Sequence, residues 1–204
     1  MRHKTFLGRM TPVLAVSVLI LALAACNPLE NNTTSMSQLQ IISLLGLDSQ
    51  GKAQNYVESD ILFEDPTTGA TSIVADIATV TMTAAMLDPN PINGTSPYAN
   101  VQLTGYTVTY SRSDGKNTAG VDVPYPIDGG ISGLVEVGSQ TSLTFIIVRE
   151  TAKQEPPLLN ILQAGTRAEA LTVTARVDFY GHDLTGANVT ATGYIPITFA
   201  NYAN

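Results

Sequence analysis

Apolar and polar residues alternate with a period of two through much of this 204-residue chain, and this pattern constrains its fold more than any other feature. In residues 171–180, LTVTARVDFY, the odd positions are apolar and the even positions hold threonine, charged residues or tyrosine. Residues 78–86 repeat the pattern, with threonine at positions 79, 81 and 83. Such alternation is typical of a strand that buries one face. The chain is therefore predicted to consist mainly of half-buried β-strands.

Eight segments are predicted to be strands. They are residues 57–63, 73–87, 101–112, a weaker strand near Val121, 131–137, 142–149, 171–180 and 187–199. Within the third segment the apolar phase changes at Thr104 and Gly105, which predicts a β-bulge. Many short strands joined by Gly, Pro, Asn and Asp turns predict an all-β fold, an antiparallel β-sandwich.

One helix is predicted among the strands, in residues 155–165, EPPLLNILQAG. Pro156 and Pro157 suit the first turn of a helix, and Gly165 suits its end. The leucines between them are spaced for one helix face. This segment is predicted to be a short excursion from the sandwich.

Two of the predicted strands resemble known domains. The stretch LTGYTVTYSRSDG is similar to the third strand and following turn of fibronectin type III domains, and ALTVTARVDFYG resembles a penultimate strand of bacterial immunoglobulin-like domains. The resemblance implies an immunoglobulin-like antiparallel β-sandwich of seven to eight strands in residues 56–204. The chain departs from those domains in lacking tryptophan and in having no cysteine pair to join the two sheets.

The first 25 residues have the pattern of an export signal. A basic segment, MRHKTFLGR, precedes an apolar run in residues 13–25 that is short for a membrane span. The residues LAAC, ending at Cys26, resemble the lipobox of bacterial lipoproteins. The resemblance implies cleavage before Cys26, diacylglyceryl attachment to its sulfur and acylation of the new amino terminus. The alternative is an ordinary signal peptide with a chance cysteine at the cleavage site.

The segment that follows, residues 26–55, is predicted to be a tether. Residues 27–36, NPLENNTTSM, are small and polar, which is typical of a flexible linker. In residues 37–46, Ser37 and Gln40 have the spacing of a capping box, and Gly46 suits a helix end. A short helix and a partly disordered stalk both fit this stretch. The domain itself is predicted to begin at residue 56.

Charge excludes some partners of the processed chain. Three of the ten basic residues lie in residues 1–25, which leaves seven against seventeen acidic residues, a formal charge of −10. Such a chain has no basic footprint for nucleic acid. In the lipoproteins that it resembles, an aspartate after the cysteine retains the protein at the inner membrane. Asn27 stands at that position, which implies the outer membrane.

The candidate ligand-binding residues are Asp178, His182, Asp183 and Tyr125. His182 with the two aspartates could provide metal ligands or a general base, whereas a lone histidine between glycines is typical of a turn. Tyr125 lies in VPYPID, which like the loop at 88–100 combines proline with an aromatic and suits either a binding surface or a rigid connection.

The sequence lacks a complete motif for calcium binding or for catalysis. Asp114-Gly115 and Asp128-Gly129-Gly130 lack the spaced aspartates of a calcium loop, which favours tight turns. The G-x-S-x-G motif of a serine nucleophile, zinc-ligand spacing and phosphate-binding glycine loops are missing from the sequence. We therefore expect no catalytic residues, no metal site and no cofactor.

These observations predict a lipid-anchored envelope protein that acts as a non-catalytic scaffold, adhesion or complex-accessory module. Its expected partners are the membrane, through the lipid on Cys26, and other envelope proteins. The alternative function is a lipoprotein that binds a metal ion or a glycan with the end loops of its sandwich.

Overall fold

The alternating segments form two β-sheets in the computed structural model, which describes residues 34–65, 67–88, 90–92, 94–164 and 170–202. The strands are β1 (Ser37–Leu47), β2 (Ala53–Gln54), β3 (Val57–Asp60), β4 (Phe63–Glu64), β5 (Thr71–Ser72), β6 (Asp76–Met86), β7 (Val101–Ser111), β8 (Ile127–Val135), β9 (Thr141–Val148), β10 (Leu171–Asp183) and β11 (Asn188–Ala200). The helices are α1 (Glu150–Lys153) and α2 (Leu158–Ala164), and Pro97–Ala99 form a 3₁₀ turn.

The strand order is that of an immunoglobulin-like sandwich. The first sheet has the order β2-β1-β6-β9, the second has the order β3-β11-β10-β7-β8, and β4 pairs with β5 in a small separate hairpin. Strand pairs are antiparallel, except that β3 runs parallel to β11. Within the described residues, seven strands have eight or more residues, and the short β2 and β3 complete the sheets. The predicted all-β immunoglobulin-like sandwich is confirmed.

The core between the sheets is held by aromatic side chains. Tyr106, Phe145 and Phe179 pack edge to face, with ring centroids 4.9 Å apart for the first pair and 5.2 Å for the last. The Tyr106 hydroxyl donates to the Ile146 carbonyl oxygen at 3.0 Å, across from the second sheet to the first. The Tyr110 hydroxyl makes the equivalent bond to Ile147 at 2.6 Å. These contacts join the sheets in a chain without tryptophan or a cysteine pair.

The predicted bulge is confirmed. The bulge in β7 shifts its pairing with both neighbouring strands of the sheet. The register shifts between Leu103 and Gly105 against β8, and between Tyr180 and Gly181 of β10. The Tyr180 ring covers Gly105 closely enough that a Cβ at residue 105 would collide with it. A side chain at this position would therefore displace the Tyr180 ring from the outer face.

The prediction of a tether with a helix or stalk up to residue 55 is wrong for residues 37–47, which form β1. This strand pairs with β6 from Ser37, opposite Met86, to Leu45, opposite Thr79. Its register shifts between Ile41 and Ser43, so its alternation breaks in the middle and is hidden in the sequence. The domain therefore includes residues from Thr34 onward and does not begin at residue 56. Residues 26–33 of the predicted tether lie outside the described residues.

Two further predictions have different outcomes. The prediction of a strand near Val121 is wrong. This residue lies in a turn and has 65% of its surface exposed, and among the described residues the only pairing beside it is a single bridge between Ala119 and Val123. The strand β8 begins six residues later. The predicted helix is confirmed as α2, which starts directly after Pro157, and the four-residue α1 precedes it. Gly165 lies outside the described residues.

The predicted export signal and Cys26 also lie outside the described residues. No helix in the part of the chain that the structure describes has the length and apolar character to cross a bilayer.

Candidate functional site

The structure does not bring Asp178, His182 and Asp183 together. Along β10, Asp178 and His182 are on the outer phase of the alternation, and Asp183 is on the buried inner phase. The first two are four residues apart, about 13 Å along an extended strand. Asp178 accepts hydrogen bonds from the Arg176 guanidinium at 2.9 Å and the Thr192 hydroxyl at 2.6 Å. Within the described residues there is no group of three or more His, Cys, Asp or Glu placed to hold a metal ion.

His182 lies at the last outward position of β10. Its Nδ1 is 3.1 Å from the carbonyl oxygen of Asp183, which accepts a hydrogen bond when Nδ1 carries the proton. The same carbonyl oxygen accepts from the Gly186 amide at 2.9 Å within the turn to β11. The contacts of His182 are therefore those of a residue beside a turn.

Asp183 is fully buried and ties the turn after β10 to the start of the described chain. Its Oδ1 accepts from the Thr185 amide at 2.9 Å and the Ala187 amide at 3.0 Å. Its Oδ2 accepts from the Ser35 hydroxyl at 2.6 Å and the Met36 amide at 3.3 Å. Burial alone would raise the pKa of Asp183, but the Ser35, Thr185 and Ala187 donors outweigh it and lower the pKa to about 2. This carboxylate fixes the place where the chain joins the sandwich.

Tyr125 and the aspartates considered as calcium ligands, Asp114 and Asp128, lie away from His182. The ring of Tyr125 covers Gly120, which has a positive φ of 74° in the turn before β8. Asp114 forms an exposed ion pair with Arg112 at 2.6 Å, in the predicted turn. Asp128 lies inside β8 and accepts from the Thr107 hydroxyl at 2.8 Å. The tight turn predicted at 128–130 is wrong, because these residues belong to an edge strand of the second sheet.

Four segments meet at the end of the sandwich where the described chain begins, which we call the proximal end. They are residues 34–36, 87–100, 136–140 and 184–187, as far as these are described. The Leu184 amide donates to the carbonyl oxygens of Tyr98 and Asn100, both at 3.1 Å. The Asn100 side-chain oxygen accepts from the Val137 amide at 3.0 Å. The loops of this end are therefore held to one another by hydrogen bonds.

Large apolar side chains are exposed at the proximal end. They are Met36, Leu87, Ile92, Tyr98 and Leu184. Ile92 is fully exposed, and Tyr98 has 63% of its surface exposed. A groove of about 420 Å³ lies beside them, lined in part by Met86, Pro91 and Val137. Exposed apolar residues gathered at one end of a domain make that end a candidate interaction surface.

The opposite end, which we call the distal end, consists of residues 48–52, 61–75, 112–126 and 149–170 as far as these are described. It contains a buried charge that the sequence did not indicate. Lys153 is fully buried, and its Nζ donates to Asp76 at 2.9 Å and to the Asp60 carbonyl oxygen at 2.7 Å. Asp76 also accepts from the Ser59 hydroxyl. Burial raises the pKa of Asp76, and the Lys153 charge opposes that shift without cancelling it.

Sequence reasoning found the surface at the proximal end only in part. It singled out the loop at 88–100, which contains Ile92 and Tyr98. Met36 and Leu184 are far away in sequence, and only the strand order places them at the same end. The pair of Lys153 and Asp76 is separated by 77 positions, so no local pattern could have shown it.

In comparisons with known proteins, no family model matches the chain, and no curated protein matches it.

Proposed function

We propose that this protein is a lipid-anchored protein of the bacterial envelope with a non-catalytic role as a scaffold, adhesion or complex-accessory module. The observation that carries the proposal is the short distance in sequence between the lipobox and the folded domain. Thr34 opens the domain only eight positions after Cys26. A lipid on that cysteine would therefore hold the sandwich close to the membrane.

The length of this connection limits how far the domain reaches. Eight residues span at most about 26–29 Å when fully extended. The buried bonds from Ser35 and Met36 to Asp183 prevent the first residues of the domain from lengthening the connection. A module held at this distance is suited to acting on neighbours in its own membrane. Asn27 favours the outer membrane as its location.

The arrangement of the candidate residues supports a binding role over catalysis. Each carboxylate of the His182 group has partners that hold it in place, with Asp178 bound by Arg176 and Thr192. Asp183 faces the core and not a cleft. A general base must lie within hydrogen-bond reach of the proton that it removes. Neither aspartate offers that arrangement with His182.

Metabolic labelling tests the anchor. Cells that express the full-length chain would be grown with an alkyne-tagged fatty acid, beside cells that express Cys26→Ala. Because Cys26 is the only cysteine of the chain, label on the wild type and none on the variant is the expected result. Equal labelling of both chains, or of neither, would contradict the proposal.

Crosslinking in the native envelope tests the role. The expected result is a covalent adduct with another envelope protein that is lost when Cys26→Ala removes the anchor. The scaffold role would be contradicted if the protein formed no adduct in the envelope and the purified protein converted a substrate.

A further inference from the structure

We infer that the proximal end docks on the lipid bilayer, with the side chains of Met36, Leu87, Ile92, Tyr98 and Leu184 in contact with lipid. This inference rests on the proposed lipid anchor and adds an orientation to it. The protein would then stand on the membrane with the distal end pointing away.

The first argument is the chemistry of the exposed residues. The five side chains named above combine aliphatic groups with one tyrosine, and each exposes 42% or more of its surface. Aliphatic side chains favour the acyl region of a bilayer, and tyrosine is enriched at the boundary between lipid and water. The proximal end therefore has the composition that a membrane surface accepts.

The second argument is the division of charge between the two ends. The exposed charges in the described proximal segments are Asp88 and Glu136, and no Lys or Arg occurs there. Each distal segment has two or more charged residues, among them Asp48 and Lys52, Arg112 and Asp114, and Arg149 and Glu150. Bringing charged side chains against hydrocarbon is costly, so of the two ends the proximal one approaches lipid at the lower cost.

The third argument is where the preceding chain joins the domain. The described chain starts at Thr34, and β1 runs from the proximal end to the distal end. Lipid on Cys26 would lie within about 26–29 Å of this point, the full reach of eight residues. Exposed apolar side chains also occur elsewhere, among them Val121 and Tyr125 at the distal end. Those at the proximal end, however, lie where the anchor would bring the domain to the membrane. The bilayer is therefore the occupant of the proximal end.

Single tryptophans test the orientation, because the natural chain contains none. Ile92→Trp places the probe at the proximal end, on a side chain that is fully exposed and adds nothing to the core. Val121→Trp is the matched control at the distal end, where Val121 has 65% of its surface exposed. Each acylated full-length protein would be reconstituted in phosphatidylcholine vesicles with brominated acyl chains, and its mass would be measured in the same sample.

Quenching of the proximal tryptophan is the expected result. Brominated lipid should lower the emission of Ile92→Trp about twofold, because interfacial side chains lie about 5–10 Å into the boundary between headgroups and acyl chains. Val121→Trp should keep its emission. Adding Leu87→Ser and Leu184→Ser to Ile92→Trp should restore most of the lost emission.

Two results would overturn the docking surface while leaving the anchor intact. One is an acylated, vesicle-bound Ile92→Trp protein whose emission brominated lipid does not quench. This result would still overturn the docking surface if aqueous acrylamide also failed to quench the tryptophan, because a second copy of the chain would then cover it. The other is equal quenching of both variants, which would mean that the domain lies on its side. A mass without acyl chains would instead overturn the proposed function and, with it, the docking that rests on it.

Discussion

The two ends of the sandwich close the same pair of sheets with opposite chemistry. The distal end buries a lysine beside a partly buried aspartate, and it exposes charged residues together with Val74, Val121 and Tyr125. The proximal end buries a carboxylate that accepts hydrogen bonds from amides and two hydroxyls, and it exposes apolar side chains. Each end therefore separates the residues that hold it together from those that face outward. A change in one set is expected to leave the other set unaffected.

Removing the buried cation of the distal end should have the largest effect on stability. Lys153→Met leaves the largely buried Asp76 without its lysine partner, and loss of one member of a buried ion pair costs about 3–5 kcal/mol. Urea unfolding measures this loss. The exposed Lys116→Met, on the same end, should change the free energy of unfolding by less than about 0.5 kcal/mol.

A double variant separates charge from packing. Asp76→Asn added to Lys153→Met removes the buried charge and keeps an oxygen for the Ser59 hydroxyl. We expect the double variant to be more stable than Lys153→Met alone. If the two variants were equally unstable, the loss would come from packing around the lysine stem and not from the unpaired carboxylate.

Removing the buried carboxylate of the proximal end should have the next largest effect. Asp183→Ala leaves the Ser35 hydroxyl and the Ala187 amide without their acceptor, at a cost of about 2–4 kcal/mol. The matched control is Asp178→Ala on the outer face of the same strand, where the exposed contact with Arg176 is worth about 0–1 kcal/mol. Equal losses in the two variants would contradict the structural role of Asp183.

Acid should weaken the proximal end through the same group. The pKa of Asp183 is lowered to about 2 from its ordinary value of 3.8, so its stabilising contribution is present above that ordinary value and is lost as the pH falls toward 2. Asp183→Asn should be less stable than the wild type at pH 7, and the gap should close between about pH 4 and about pH 2. Asp76 is present in both the wild type and Asp183→Asn, so its contribution cancels from the difference in their free energies of unfolding. A gap that stays constant across this range would contradict the assignment.

Changing the exposed residues of the proximal end should have the smallest effect on stability. Ile92→Ser and Leu184→Ser alter side chains that face outward, so each should shift the free energy of unfolding by less than about 0.5 kcal/mol. Thermal unfolding of the protein away from lipid measures this shift. A large loss would mean that these side chains stabilise the fold, and the separation of roles at this end would be wrong.

Most strands could be predicted from their alternation, including β7 with its bulge beside Gly105, but β1 was missed because its shorter alternation is interrupted. The uninterrupted pattern of residues 171–180 predicted the correct inner face of β10, but the strand continues to Asp183, whose inward position was not predicted. In β1 the shift after Ile41 moves the buried phase from odd to even positions, so the segment reads as a helix. A single inserted residue is therefore enough to hide a strand that pairs along most of β6.

The candidate site was less predictable than the fold, because it depends on contacts between distant segments. The grouping of His182 with Asp178 and Asp183 used nearness in sequence, yet neighbouring residues of a strand point to opposite faces. The contacts of Lys153 and Asp183 each join segments that are far apart in the chain. Strand order had to be known before either could be found.

We propose that a lipid on Cys26 holds this sandwich at the membrane, and the intact mass of the protein extracted from membranes is the decisive measurement. We expect a chain that begins at Cys26 and carries the added mass of acyl chains, with no such species from Cys26→Ala. A chain that is cut elsewhere, or that begins at Cys26 without added mass, would contradict it.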